Sequence, residues 1–309
     1  MKSTKPKRPT KPKPTNAQKV ARRLQCLYIL VLRGWADVAA NKKYKDAQSP
    51  YSKWNPAKLN ELITAAAARP ELRSAFTARE KKILSTNLGK LPGYVISECT
   101  HRSEGLAVLA WALGQGENLY PTGIYGDYAY KQLDPTRDLS TTPSDFLAKP
   151  KLRPRAQLRR QQTLEHEWTW RVRMEVLQLT IGLSDAAGDE RADEAKAILD
   201  KAITNRANAC AAKGLVKLVK GDFPIGDPGE KQEPFGVAFE RAMDPRTSAE
   251  CPANERFRAI NWAIDPTQKW HNTQTQTPLG FTMPQWMIGS SRFLSGFLHP
   301  SPSDKAWYR

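Results

Sequence analysis

The sequence contains few of the residues that form metal sites and disulfide frameworks, and it lacks a long apolar segment. Its 309 residues include four cysteines and four histidines. The apolar runs at 26–32 and 106–113 are only seven and eight residues long. Runs of this length are far too short to cross a bilayer, so the sequence excludes an integral membrane protein.

The four cysteines stand singly in the chain, without the spacing of a disulfide framework. They are Cys26, Cys99, Cys210 and Cys251. The N-terminal residues do not have the pattern of a secretory signal, because the first apolar run, at 26–32, begins late and is followed by the charged residue Arg33. We therefore expect reduced thiols, buried as small apolar groups, in a cytoplasmic protein.

Common catalytic and ligand-binding motifs are also missing. Residues 226–231 lack the spacing of a phosphate-binding loop, and residues 289–291 lack the second glycine of a nucleophile elbow. Residues 166–170 begin like a zinc-protease helix but have Trp170 where the second histidine is required. The sequence therefore predicts no metal and no cofactor, and it names no reaction.

Positive charge is concentrated in two segments of the chain. Residues 1–23 hold nine basic residues and residues 149–160 hold six, with no acid in either, and the net charge of the chain is +17. Residues 1–15 are also rich in proline, so we expect a disordered basic tail that serves solubility, polyanion binding or partner docking. The polyanion-binding candidates are Lys2, Lys5, Lys7, Arg8, Lys11, Lys13, Lys149, Lys151, Arg153, Arg155, Arg159 and Arg160.

Hydrophobic spacing predicts an all-α protein: a multi-helix globular bundle with long loops and at most a minor β-hairpin near residues 222–240. Asn16 is expected to cap the first helix. Residues 16–277 form the predicted helical domain. The C-terminal extension at 278–309, which is rich in aromatic residues, is expected to pack on it. The helices are expected at about 16–41, 56–69, 94–113, 154–182, 185–200, 204–220 and 254–264, with another short helix after the capping box at 77–80.

Two polar clusters are candidates for a cleft or a structural brace. Arg102 and Glu104 lie on the helix at 94–113, and we expect Arg102 to pair with Glu104. The second cluster, around the helix at 254–264, comprises Glu255, Arg256, Asn261, Trp262 and Trp270. Paired Arg and Glu on packed helices form a buried network more often than a catalytic pair, so we favour the brace.

The helix at residues 102–114 reads RSEGLAVLAWALG and resembles a motif of the bacterial domain-of-unknown-function family 4272. The motif of that family reads R-x-E-A-L-x-V-L-x-W-A-L-G. Further segments resemble that family over about residues 16–277, although His271 and Gln276 replace acids of its closing motif. These segments are 146–149, 151–154, 170–173, 221–224, 255–262 and 270–277.

The resemblance implies a soluble, mainly helical bacterial protein and supplies no reaction. The favoured hypothesis is a binding or interaction module without catalysis and with a protein partner. One alternative is sequence-independent nucleic-acid binding through the basic tail and residues 149–160. A second is a hydrolase or transferase that uses Arg102, Glu104, Glu255 and Arg256, for which no nucleophile–base pair is visible.

Overall fold

The computed structural model describes residues 13–41, 55–116, 119, 133–140, 143–186, 192–215 and 250–273, without the side chains of 175–176, 179–186 and 250–252. All regular secondary structure in these ranges is helical, which confirms the predicted all-α class. The α-helices are α1 Asn16–Ala40, α2 Pro56–Ala68, α3 Pro70–Arg73, α4 Ala78–Ser85, α5 Gly93–Ala112, α6 Pro135–Asp138, α7 Asp145–Ala148, α8 Arg155–Ala186, α9 Ala192–Ala212 and α10 Glu250–Ile264, followed by a 3₁₀ turn at Trp270–Asn272.

Helix α1 is buried along most of its length. The prediction that Asn16 caps it is wrong, because the N-cap is Thr15. The Thr15 amide donates to Gln18 Oε1 at 2.8 Å, and the Gln18 amide donates to the Thr15 hydroxyl at 3.2 Å. This reciprocal capping box satisfies two amides, so the predicted tail of 1–15 overlaps the start of the fold.

Local capping signals correctly locate two further helices. Asn55 accepts hydrogen bonds from the first amides of α2, with Pro56 in the first turn. Thr77 and Glu80 form the expected capping box of α4. Gly114 follows the end of α5 with a φ of +90°, the left-handed conformation that glycine adopts without strain.

The C-terminal half corrects one helix assignment. The prediction of two separate helices at 185–200 and 204–220 is wrong, because Ala192–Ala212 is a single helix. No glycine or proline interrupts it, and Leu199, Ile203 and Cys210 continue one buried stripe. Gly214, with a φ of +64°, follows its end in place of the predicted Gly221.

The helices pack in a continuous row: α2 on α1, α1 on α5, α5 on α10, α10 on α8, and α8 on α9. One apolar core joins α1, α2, α4, α5 and α10, and a second lies between α8 and α9. Gly34 of α1 lets α5 approach closely, because a Cβ there would lie 2.8 Å from the Cβ of Cys99. Helix α5 is therefore enclosed between α1 and α10.

Several predicted features lie outside the described residues. These are the hairpin near 222–240, the first twelve residues of the basic tail and the aromatic extension at 278–309. Among the helices that are described, none is long and apolar enough to cross a membrane.

Candidate functional site

The predicted cleft between α5 and α10 is a closed helix–helix contact. A Cβ at Gly105 would lie 3.2 Å from the carbonyl oxygen of Glu255 and 3.6 Å from the Cβ of Ala259. Arg102, Glu104 and Arg256 are all nearly inaccessible, with at most 6% of each residue exposed. These side chains are enclosed between packed helices.

Arg102 belongs to an ion-pair network between α4, α5 and α1. Its Nη1 donates to Glu80 Oε1 at 2.6 Å and its Nη2 donates to Glu98 Oε1 at 2.7 Å. Arg23 of α1 also donates to Glu80, at 2.9 Å from Nη1 to Oε2. Burial opposes the charge of Glu80, but Arg23 and Arg102 outweigh it and hold the pKa of that carboxyl well below its usual range.

The expected pairing of Arg102 with Glu104 is wrong. Residues two positions apart on a helix point to different sides, and Glu104 faces α10. Arg256 donates from Nη1 to Glu104 Oε2 at 3.3 Å and makes a bidentate pair with Glu165 of α8, at 2.8 and 2.7 Å. Gln161 donates to Glu165 as well, at 2.7 Å. One buried arginine thus connects α5, α8 and α10.

The other predicted members are dispersed among structural contacts. Glu255 pairs with Arg258 on the same helix, and Asn261 accepts a 2.5 Å hydrogen bond from Gln162. The Trp262 indole donates to the carbonyl of Gln268 at 3.0 Å. Trp262 also packs edge-to-face on Trp270 at 5.7 Å, and the Arg23 guanidinium lies 4.3 Å from the Trp270 ring.

Among the basic residues of segment 149–160, Arg153 is held by contacts within the fold and the others are exposed. Arg153 caps the C-terminus of α5, because its Nε donates to the carbonyl of Trp111 at 2.7 Å and its amide donates to that of Ala112 at 2.9 Å. Its guanidinium also donates to Gly116 and lies over the Trp111 ring. Arg153 is therefore a poor candidate for polyanion binding.

The remaining basic side chains of this segment face solvent near the start of α8. Arg159 donates to Gln162 at 2.8 Å and Arg160 donates to the carbonyl of Gly214 at 3.3 Å, both from exposed positions. Within the predicted tail, the described basic residue Lys13 is also exposed. The exposed basic residues of the segment are Lys149, Lys151, Arg155, Arg159 and Arg160.

An open concave surface lies elsewhere, between α4 and the start of α5. This α4–α5 cleft has a volume of about 200 Å³. Its apolar floor consists of Ile83, Leu91 and Val95, which are almost fully buried. Its remaining lining residues are Arg79, Lys82, Thr86, Lys90 and Pro92, so the lining contains three cations and no acid.

The loop that forms one wall of the cleft is held by a buried ion pair of α1. Arg33 and Asp37 are paired at 2.5 Å and are at most 2% exposed. The Asp37 carboxylate accepts from the amides of Gly89 and Leu91, at 2.8 and 3.2 Å. Arg33 donates to the carbonyl of Thr86 at 2.7 Å. The charges of Arg33 and Asp37 thus neutralise each other, and the two side chains fix the loop at several points.

Comparison with known proteins identifies a family. The sequence model of "Domain of unknown function (DUF4272)" matches residues 7–180, more than half of the chain. The chain belongs to this family. No curated protein and no solved structure matches it. The name of the family specifies neither a ligand nor a reaction.

The DUF4272 match contains the whole α4–α5 cleft and both of the ion pairs that support its walls. It ends within α8, so the resemblances quoted for residues 221–277 lie outside it. Helix α10 is nevertheless part of the same packed core as α5.

Reasoning from sequence missed a cluster between α8 and α9. Arg206 makes a bidentate pair with Glu167, at 2.6 and 3.0 Å, and lies 4.5 Å from the ring of Trp170. Burial opposes the charge of Glu167, but His166 and Arg206 outweigh it and lower its pKa to about 2. Burial and then the Glu167 charge raise the pKa of Cys210 to about 11. That sulfur is therefore a thiol at neutral pH, not a nucleophilic thiolate.

The cleft was also missed, because its residues have no distinctive spacing. One available signal was the separation of Arg33 and Asp37 by four residues inside a strongly apolar helix, which favours a buried ion pair. Across the described residues, no group of three or more His, Cys, Asp or Glu side chains could hold a metal ion.

Proposed function

We propose that this protein is an interaction module that holds a segment of a partner protein in the α4–α5 cleft, without catalysis. The observation that carries this proposal is the combination of an apolar floor with a cationic, open rim. An accessible concavity whose floor is apolar is the type of surface that accepts an anchoring side chain.

The ion pairs made by the other polar clusters support the same proposal. Arg102, Glu104 and Arg256 neutralise buried partners on neighbouring helices. Side chains held in such pairs are expected to contribute to the packing of helices, because a substrate would have to displace a buried counter-ion to reach them. This structural role argues against the hydrolase or transferase hypothesis.

A library of random-sequence peptides would test the proposal. The bait is the full chain, compared with Thr86→Trp, which places a bulky ring in the cleft, and with Ser85→Trp, which adds the same ring at an exposed neighbour outside the lining. We expect enriched peptides to bind the wild type and Ser85→Trp and to lose binding to Thr86→Trp. Unfolding curves of both variants verify that they fold.

Two results would contradict the proposal. The first is the absence of any enriched peptide. The second is a set of peptides that bind all three proteins equally, because such peptides recognise a surface other than the cleft.

Polyanion binding is a second candidate function, favoured by the exposed cations near the start of α8. Phosphate contacts release counterions, so affinity for duplex DNA should fall steeply with salt. The test compares the full chain with a version that begins at residue 13, which retains the Thr15 cap, and with a quadruple glutamine variant. The positions changed are Lys149, Lys151, Arg155 and Arg159.

For this second function, each phosphate contact that is lost should reduce the salt slope by about 0.9. A control with the same net charge carries glutamine at exposed lysines elsewhere: Lys58, Lys81, Lys196 and Lys201. Binding that survives high salt, or that falls equally in the control, would contradict a local polyanion site.

A further inference from the structure

The size of the α4–α5 cleft limits what it can bind. Pockets that enclose whole small molecules have volumes of about 300–1,000 Å³. The cleft measures about 200 Å³ and is open on one side. It therefore suits a single side chain inserted from a larger partner, with the rest of that partner lying across the rim.

The floor selects an apolar anchor. Ile83, Leu91 and Val95 supply aliphatic carbon, and the floor offers no charged group to pair with a polar side chain. A leucine, isoleucine or phenylalanine would exchange water for these contacts. Burial of such a side chain is expected to improve affinity by about tenfold or more.

The rim determines the charge of the residues around that anchor. Lys82 and Lys90 are exposed lining residues, and the third cation of the lining, Arg79, is paired with Glu98. Helix α5 begins beside the cleft with Pro92 as its N-cap, with no side-chain cap and no acid in its first turn. The positive end of its dipole adds to the lysine charges, so the rim complements carboxylates.

The walls are fixed before any partner binds. Asp37 and Arg33 hold the loop at 86–91, and the buried pairs of Glu80 hold α4. A site that is already ordered loses little conformational entropy on binding. A short peptide segment can therefore bind without the cleft reorganising.

We infer that the occupant is an acidic peptide segment of a partner protein with one aliphatic or aromatic anchor: the anchor fills the apolar floor and flanking carboxylates face Lys82 and Lys90. This inference rests on the proposed function and specifies the partner that the function leaves open.

Defined peptides test it, with affinity measured by fluorescence anisotropy on the full chain. The probe is Gly-Glu-Glu-Leu-Glu-Glu-Gly, labelled at its N-terminus. One comparison peptide replaces the four glutamates by glutamine, and another replaces the leucine by alanine. We expect the probe to bind tightest, each replacement to weaken binding about tenfold or more, and the affinity of the probe to fall with salt.

Matched charge variants locate the effect. Lys82→Gln with Lys90→Gln removes two positive charges from the rim, and Lys58→Gln with Lys81→Gln removes two exposed charges outside the lining. We expect the rim variant to weaken binding of the probe and to flatten its salt dependence, while the control variant retains both.

Three results would overturn the inference. They are equal binding of the glutamate and glutamine peptides, an equal loss in the rim and control variants, and no binding of the probe at millimolar concentration. The proposed function fails separately, since it requires that some peptide lose binding to Thr86→Trp. A neutral peptide that binds the wild type and loses binding to Thr86→Trp would support the proposed function and contradict the inference of an acidic partner.

Discussion

The two sides of helix α5 use buried ion pairs in different ways. Toward α10, Arg256 draws Glu104 and Glu165 together where Gly105 already brings the helix backbones close, and the contact is closed. Toward α1 and α4, the pairs of Glu80 and of Asp37 hold a short helix and a loop at the edge of the core, and the cleft lies between them.

This difference shows that buried charge does not by itself indicate a chemical site. Both networks are largely buried and depend on precise packing, and the one that includes Glu80 lies beside the α4–α5 cleft. The functional candidates are the ordinary residues on that surface, and the buried pairs contribute by keeping its walls in place.

The strongest test of the closed side is Arg256→Met. The substitution leaves the Glu104 and Glu165 carboxylates buried without their shared cation, and we expect a loss of about 3–5 kcal/mol in the free energy of unfolding. Arg159→Met, at an exposed position, serves as control and should change stability by less than about 0.5 kcal/mol. Denaturant titration measures both. Equal effects would mean that the closed side does not depend on its ion pairs.

A second substitution compares the close contacts on the two sides of α5. Gly34→Ala would place a Cβ 2.8 Å from that of Cys99, which forces α1 and α5 apart and should cost about 1–3 kcal/mol. Gly105→Ala meets the Glu255 carbonyl at 3.2 Å, and the better helix propensity of alanine offsets part of the strain. Thermal unfolding should therefore rank Gly34→Ala as the more damaging change, and the reverse order would contradict this ranking.

The supported wall can be tested through Asp37→Asn. The neutral amide is a weaker acceptor for the Gly89 and Leu91 amides and no longer neutralises Arg33, so we expect a cost of about 1–3 kcal/mol. Hydrogen exchange should accelerate at Gly89 and Leu91 and stay unchanged around Gly105. Uniform acceleration would show that the loop and the closed side open together.

The smallest expected effect concerns pH. Burial lowers the pKa of His101 below its ordinary value of 6.5, against the charges of Glu255 and Glu98. The unfolded chain then binds this proton more readily, so the contribution of His101 is complete above pH 6.5 and is lost as pH falls below it. Unfolding curves between pH 7.5 and 5 should be less pH-dependent for His101→Gln. An identical slope would contradict a lowered pKa of His101.

Local signals predicted much of the fold but little of the site. The Asn55–Pro56 cap, the Thr77–Glu80 capping box and the Gly114 terminator each act within a few residues, so they are visible in sequence. The partners of Glu80 and Arg256 depend on how helices pack, since Arg23 lies 57 positions from Glu80 and Glu165 lies 91 from Arg256. Spacing alone could not assign those pairs.

The cleft was harder to predict, for a different physical reason. Lys82 and Lys90 resemble any exposed lysine in composition, and the floor residues resemble any core position. Their shared surface exists because a loop turns back beside a helix, and the loop is fixed by side chains about fifty residues earlier in the chain. A concavity made in this way has no motif.

The buried cysteines report on two contacts of α1. Cys99 lies beside Gly34 in the α1–α5 contact, and the Cys26 sulfur lies 3.8 Å from the carbonyl of Leu72 in α3. Cys26 and Cys99 are free thiols, fully enclosed, and burial raises the pKa of each to about 12. At neutral pH an alkylating reagent can modify Cys99 only in molecules in which α1 and α5 have separated, and Cys26 only where the packing around α1 and α3 has opened. The rate at which peptides containing either cysteine gain mass therefore reports how often this molecule opens under native conditions.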